Sequence, residues 1–302
     1  MRSSSIRTTR TSPNPEAIAH MNFKAAVAQI DPKVGNLKSN LDLHLKVVDK
    51  AIRAGAKLIL FPELSLTGYS LRDLAQEVAL DPDDSFFSPL KKKSKSITIV
   101  LGFVESGQDH GIYNSAMVLE EGKVKHVHRK IYPPTYGMFE EGRYFGLGNT
   151  IQAFDSKLGR FGVLICEDAW HLSLPYLLAR DGAEVLLSLT ASPTRLAGDH
   201  KDLLNAEVNH EHHRAYARLL SVYYLFSNRV GFEDGVNFWG GSAIVGPSGE
   251  TIVLAKYFSD DLIFSQLDTK EVRRARVSSR HFLDENIDLV SRSIHRIASK
   301  RS

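Results

Sequence analysis

At 302 residues with 43% hydrophobic content, the chain has enough apolar surface to build a sizeable core, as one large α/β domain or two ordinary ones, which sets aside a wholly disordered protein. Its 38 Lys and Arg against 35 Asp and Glu leave a net charge of only +3, of which Arg2, Arg7 and Arg10 against Glu16 supply +2, too small a bias for a nucleic-acid or anionic-membrane partner. The single cysteine excludes an intrachain disulfide and a zinc site of several thiolates, and without a membrane-length apolar run or a secretory leader the cytoplasm is the expected compartment.

Residues 1–20, MRSSSIRTTRTSPNPEAIAH, are rich in Ser, Thr and Arg and carry no periodic apolar signal, so they are expected to form a disordered extension. A transit peptide, or an upstream start codon with Met21 as the real beginning, are the alternatives. From Met21 the pattern becomes regular. Phe23 to Ile30 reads as a strand, and Ser39 with Asp42 resembles a capping box that opens a helix through Leu41, Leu45, Val48 and Ile52, ended by Gly55. Lys57 to Phe61 is a short apolar run typical of a central strand covered on both faces.

Further strands are expected at Ile97 to Val104, at Ser115 to Leu119 paired across Glu121-Gly122 with Val124 to His128, at Thr150 to Phe154 and at Phe161 to Ile165. The run from Asp181 to Leu187 then repeats the order of Arg53 to Leu60, a helix end followed by Gly-Ala, a charge and an apolar strand, which hints at an internal duplication. A long polar helix is expected from about His200 to Leu220, followed by strands near Val222 to Ser227, Gly241 to Val245, Thr251 to Ala255 and Leu262 to Gln266. This inventory fits an α/β fold with two sheets faced by helices, a four-layer α-β-β-α sandwich, in one domain over 21–268.

Three residues stand where a strand stops and a polar loop begins, the usual place for a site in an open α/β sheet. Cys166 ends RFGVLIC, Glu63 follows LILFP, and Lys130 lies in VHRKIYPP before a Pro-Pro break. Read singly, each has an ordinary alternative: a packed thiol, a solvated loop carboxylate, a surface lysine. Read together, they supply a nucleophile, a general base and a cation for a tetrahedral intermediate.

FPELSLTGYS, HRKIYPP and LICEDAWH, in this order, resemble the nitrilase or carbon-nitrogen hydrolase superfamily, and the resemblance runs from Met21 to Asp268, including NRVGFEDGVNFWGGSAIVGPSGE. It implies the four-layer sandwich and a set of roles: Glu63 as base, Lys130 as the cation steadying the intermediate, Cys166 as the nucleophile that forms a thioester, and Glu141 as a second glutamate positioning substrate and Lys130. Glu140, its neighbour, is the alternative for that last role. The backbone N–H of Glu167 would share the oxyanion with Lys130. No metal and no organic cofactor is implied.

True nitrilases usually carry Trp directly after the cysteine, whereas this chain reads CEDAW, which disfavours nitriles. FPELSLTGYSLRDL, YGMFEEGRYF and ICEDAWH look most like the glutamine-amidase domain of glutamine-dependent NAD synthetases. That likeness implies Tyr69, Tyr136 and Glu167 near the substrate and Ser192 in a segment that holds the amino-acid group of glutamine. Two departures follow: 302 residues leave no room for an ammonia-consuming synthetase domain, and the stretch after Pro193 differs from the synthetases. The expectation is a stand-alone amidase acting on a small carboxamide. The alternatives are an ω-amide or N-carbamoyl substrate, a glutaminase subunit feeding a separate synthetase, and a non-catalytic interaction module.

His210, His212 and His213 with Glu211 offer metal-binding side chains, but not at HExxH spacing, and a solvated helix face is expected there. His126 and His128 share one face of a strand without a third ligand and are expected at the surface. The basic tail, residues 269–302, is expected to pack on a neighbouring subunit of a homodimer.

Overall fold

The computed structural model describes residues 20–194 and 203–300. The strands in chain order are β1 (Asn22–Gln29), β2 (Leu58–Leu60), β3 (Thr98–Ser106), β4 (Ile112–Glu120), β5 (Lys123–Arg129), β6 (Phe154–Ser156), β7 (Gly159–Ile165), β8 (Val185–Thr190), β9 (Tyr223–Asn228), β10 (Val230–Glu233), β11 (Val236–Trp239), β12 (Ala243–Val245), β13 (Thr251–Leu254) and β14 (Asp261–Asp268). The helices are α1 (Leu37–Arg53), α2 (Leu74–Glu77), α3 (Ser88–Lys93), α4 (Glu141–Tyr144), α5 (Ser173–Arg180), α6 (Leu204–Leu220), α7 (Thr269–Ser278) and α8 (Ile287–Ala298).

The strands form two six-stranded sheets, ordered β14-β1-β2-β3-β4-β5 and β13-β12-β9-β8-β7-β6, with β10 and β11 as a separate hairpin. Period-2 alternation along the strands sets the layers. Ala25 and Val27 of β1 meet Val163 and Ile165 of β7 in a core between the sheets, whereas Ala26 and Ala28 pack outward with Val47, Val48 and Ala51 of α1. On the far side Leu164 and Leu186 pack against Leu174 and Leu178 of α5 and Ala217 and Leu220 of α6. The result is the expected α-β-β-α sandwich.

The two halves repeat one another in strand order and direction. In the first sheet β1, β2 and β3 run parallel, with β4 antiparallel to β3 and β14 antiparallel to β1. In the second, β7, β8 and β9 run parallel, with β12 antiparallel to β9 and β6 antiparallel to β7. The two segments that resemble each other in sequence occupy equivalent places, α1 into β2 and α5 into β8. Gly55 (φ +80) and Gly182 (φ +97) make the same left-handed turn at the two helix ends.

Several local expectations are corrected. The α1 cap is Asn36, whose Oδ1 accepts the Ser39 N–H at 3.0 Å, so the helix starts before the expected box. Thr150 to Ala153 is not a strand: the Ala153 N–H donates to Asp181 Oδ2 at 2.7 Å, and pairing begins only at Phe154. The β10–β11 hairpin was not read from the sequence as a separate element. In the tail, α7 lies against its own chain through buried Val272, and Arg276 donates to the Ala183 carbonyl at 3.2 Å. α8 buries no residue. The expectations for residues 1–19 and for the start of the long helix at 200–202 fall outside the described residues. Among the described residues no helix is long and apolar enough to cross a membrane.

Candidate active site

The two sheets deliver the three predicted residues to one place. Glu63 follows β2 after Phe61-Pro62, and the turn presses onto β3 so closely that a Cβ on Gly102 would stand 2.3 Å from the Leu64 nitrogen. Only glycine fits there. Lys130 follows the last residue of β5, and Cys166 the last residue of β7. Cys166 has φ +47, a left-handed backbone that costs an L-residue about 1–2 kcal/mol and aims the side chain off the strand.

Glu63 and Lys130 are each 1% exposed, and their side chains are tied together. Lys130 Nζ donates to Glu63 Oε1 at 2.7 Å and to Glu141 Oε1 and Oε2 at 2.8 Å each. Asn114 Nδ2 donates to Glu63 Oε1 at 2.8 Å and to Glu141 Oε2 at 3.4 Å. The Ala191 N–H, at the end of β8, donates to Glu63 Oε2 at 2.9 Å and favours the charged form of Cys166. One backbone group thus acts on both the candidate base and the candidate nucleophile. Glu141, the first residue of α4, is buried whereas Glu140 is exposed, which settles which of the two faces Lys130.

Burial and charge act in opposite directions here. Burial disfavours the Lys130 ammonium, but Glu141 and Glu63 outweigh it and hold the amine well above its usual value. Burial raises the Glu141 carboxyl, opposed by Lys130. Burial, reinforced by the Glu63 charge, pushes the Cys166 thiol well above its usual value, with Lys130 opposing. Cys166 therefore rests as a thiol and needs a base to become a nucleophile.

A cavity of about 540 Å³ opens over Cys166, lined by Tyr136, Met138, Phe139, Glu167, Trp170, Ser192 and Asn205 among others. Tyr136 Oη donates to Glu167 Oε2 at 2.8 Å, and its phenol is pushed up to about 12 by burial and by that bond. Ser192 Oγ accepts from Trp239 Nε1 at 3.0 Å and from Asn205 Nδ2 at 3.2 Å. Tyr69 lies elsewhere: its Oη donates to Glu141 Oε1 at 2.5 Å and it lines an adjoining cavity of about 340 Å³ with Glu141 and Phe139. Among the described residues no group of three or more His, Cys, Asp and Glu side chains is arranged to hold a metal ion.

Residues 24–277 match the model of the family described as carbon-nitrogen hydrolase. The chain belongs to the carbon-nitrogen hydrolase family. It is thus an enzyme that hydrolyses carbon–nitrogen bonds. The hydrolase is 33% identical over 267 residues to the glutamine-dependent NAD(+) synthetase of Acinetobacter baylyi, an alignment covering 87% of this chain and 47% of that protein. It therefore spans about half the length of the synthetase it matches. A probable nitrilase of Schizosaccharomyces pombe is 27% identical, with 90% of this chain and 98% of that one covered. The glutamine-dependent NAD+ synthetase structure from Acinetobacter baumannii superposes with a TM-score of 0.74 at 32% identity, over 83% of this chain and 46% of that one.

Sequence reasoning missed several polar side chains of the hydrolase's site. Asn114 bridges both glutamates, and its only signal was an amide in the mostly apolar strand β4. Asp168 and His128 form a buried pair with Nε2–Oδ2 at 2.9 Å, so His128 is not at the surface. His126 stacks on Phe154 at 4.5 Å and is half-buried. His213 is 2% exposed and stacks on Tyr224, and His210 meets Trp239 edge-on, which corrects the expectation of a solvated helix face: α6 turns both toward the second sheet. The β10–β11 hairpin adds Glu233, whose Oε1 accepts the Tyr69 N–H at 2.7 Å and the Ser70 N–H, with buried Arg229 on its other oxygen.

Proposed function

We propose that the protein hydrolyses a small linear carboxamide to a carboxylate and ammonia through a thioester on Cys166. The observation that carries this is one ammonium, Lys130, bonded to two buried carboxylates whose charges act on a half-buried thiol that lines a cavity. Glu63 accepts the thiol proton as Sγ attacks the amide carbon and the carbonyl π pair moves to oxygen. The backbone N–H of Glu167 and Lys130 donate to that oxyanion. All three Lys130 N–H bonds are committed to carboxylates at rest. Protonation of Glu63 weakens its hold on Lys130, which frees a donor as the oxyanion forms.

Collapse of the intermediate breaks the C–N bond, with the Glu63 proton passing to the leaving nitrogen to give ammonia. Water then attacks the thioester, Glu63 takes its proton, and the acid departs as the sulfur is reprotonated. No step calls on a cofactor. Glu141 holds Lys130, and Tyr69 in turn holds Glu141. The substrate occupies the chamber bounded by Tyr136, Glu167 and Ser192.

Glutamine is the second reading. It is favoured by the 33% identity to a glutamine-dependent synthetase and by Glu167, an acceptor for a substrate ammonium at the chamber wall. As half of such a relative, the chain would act as an ammonia-supplying glutaminase. Ammonia release from glutamine, asparagine, ω-amides, short aliphatic amides, N-carbamoyl compounds and nitriles tests both, with Cys166→Ala as control. Release from a short aliphatic or ω-amide but not glutamine supports the first reading, and release from glutamine alone the second. Activity unchanged in Cys166→Ala rejects the mechanism. A homodimer in the cytoplasm remains part of the proposal, and sedimentation of the purified chain tests the dimer.

A further inference from the structure

Asp168 sits two residues after Cys166 in the 3-10 turn Cys166–Trp170, with no exposed surface. Its carboxylate accepts four hydrogen bonds. Oδ1 takes the backbone N–H of Ile131 at 3.0 Å and of Tyr132 at 3.2 Å, while Oδ2 takes the Ile165 N–H at 3.1 Å and His128 Nε2 at 2.9 Å. These fill the lone-pair sites that a carboxylate offers.

The positions of the donors decide the argument. Ile165 immediately precedes Cys166, Ile131 immediately follows Lys130, and His128 stands on β5 two residues before Lys130. Those two backbones belong to different sheets, with Lys130 beyond β5 of the first and Cys166 beyond β7 of the second. A core of apolar side chains sets the spacing of two sheets loosely, because dispersion is non-directional. Four directional bonds to one anchored carboxylate fix the strand ends far more tightly. The Ile165 bond also closes the turn in which Cys166 takes its left-handed backbone.

We infer that Asp168, backed by His128, is a positioning residue that sets the register of Cys166 against Lys130. This rests on the proposed roles of those two residues. Neither Asp168 nor His128 touches substrate in this arrangement; each acts through the backbone it holds. Loss of the tie lets the strand ends drift, and displacement of a reacting group by about 1 Å costs on the order of 10²-fold in rate.

Cys166 is the only cysteine in the chain, so mass gained from iodoacetamide beyond that gained by Cys166→Ala reports this thiol. The test measures its alkylation rate from pH 6 to 10 in the wild type, Asp168→Asn, His128→Leu and His128→Gln, with folding followed by circular dichroism. Asp168→Asn keeps the shape but turns an N–H2 toward donors that need an acceptor. The expected result is folded Asp168→Asn alkylated roughly 10- to 100-fold more slowly across this range, in which the thiol still depends on its neighbours to ionise. His128→Gln, which restores a donor, should react within about threefold of wild type, and His128→Leu about tenfold slower. A folded Asp168→Asn with wild-type rates across the range overturns the inference. If Asp168→Asn fails to fold, equal rates in His128→Leu and His128→Gln overturn it instead. Undiminished amide hydrolysis by Cys166→Ala would reject the nucleophile itself, a result separate from either of these.

Discussion

Lys130 Nζ donates to Glu63 Oε1 at 2.7 Å, and neither side chain has any exposed surface. With Glu141 bound to the same amine, two buried carboxylates depend on one cation. Lys130→Ala leaves them facing each other without it, and removing one partner from a buried ion pair costs about 3–5 kcal/mol. Urea unfolding at pH 7.5 should show a loss of that size. Wild-type stability in this variant would mean the cluster is less dependent on the lysine than its geometry requires.

Glu63→Gln separates chemistry from packing. The amide keeps an oxygen for Lys130 and Asn114 but presents an N–H2 toward the Ala191 N–H. It cannot take the thiol proton. Ammonia release should fall by about 10²–10⁴-fold, the usual worth of general acid–base catalysis, while the protein stays folded. A smaller fall than tenfold would move the base elsewhere.

Tyr69 donates to Glu141 at 2.5 Å from a loop held by Glu233 on the β10–β11 hairpin. Tyr69→Phe removes a hydrogen bond to a charged group and leaves the ring in place, so a loss of about 1.5–3 kcal/mol is expected by chemical denaturation. Because Glu141 holds Lys130, turnover should fall as well. Glu233→Gln weakens the same loop from behind and should lower turnover in the same direction.

The sandwich was legible because strand runs and helical spacing were strong and local: β1, β2, β7, β8 and β9 all fall where apolar runs lie. The site was legible for a related reason, since Glu63 and Cys166 mark the end of such runs and Lys130 the end of a hairpin strand. What the sequence withheld were side chains defined by contacts across sheets. His128 and Asp168 lie 40 residues apart and meet only once the two sheets face each other, while Asn114 reaches Glu63 and Glu141 from another strand of the first sheet. The histidines of α6 were misread because a charged neighbour, Glu211, hides that positions 210 and 213 share the inner face of the helix. Thr150 to Ala153 failed as a strand because an Asp181 side chain took the Ala153 N–H first.

Buried His213, half-buried His210 and buried His44 of α1 should make the fold sensitive to acid. Burial lowers His44 and His210 to about 4, and burial with the neighbouring His210 and His212 lowers His213 well below its usual 6.5. A folded value below the unfolded one means that the unfolded chain binds more protons between the two. Stability from these groups is therefore complete above about pH 6.5 and is lost as pH falls toward 4, by about 1.4 kcal/mol per unit for each imidazole. Urea unfolding at pH 7.5, 6.5, 5.5 and 4.5 should show that decline. His213 Nδ1 is buried and has no hydrogen-bond partner among the described residues, while the ring stacks on Tyr224 and meets Phe226. His213→Phe keeps the ring contacts, removes the unpaired nitrogen and removes one titration. It should leave stability at pH 7.5 within about 1 kcal/mol of wild type or above it, and flatten the acid slope by one proton. An unchanged slope would assign the acid sensitivity to the remaining histidines or to the carboxylates around Lys130.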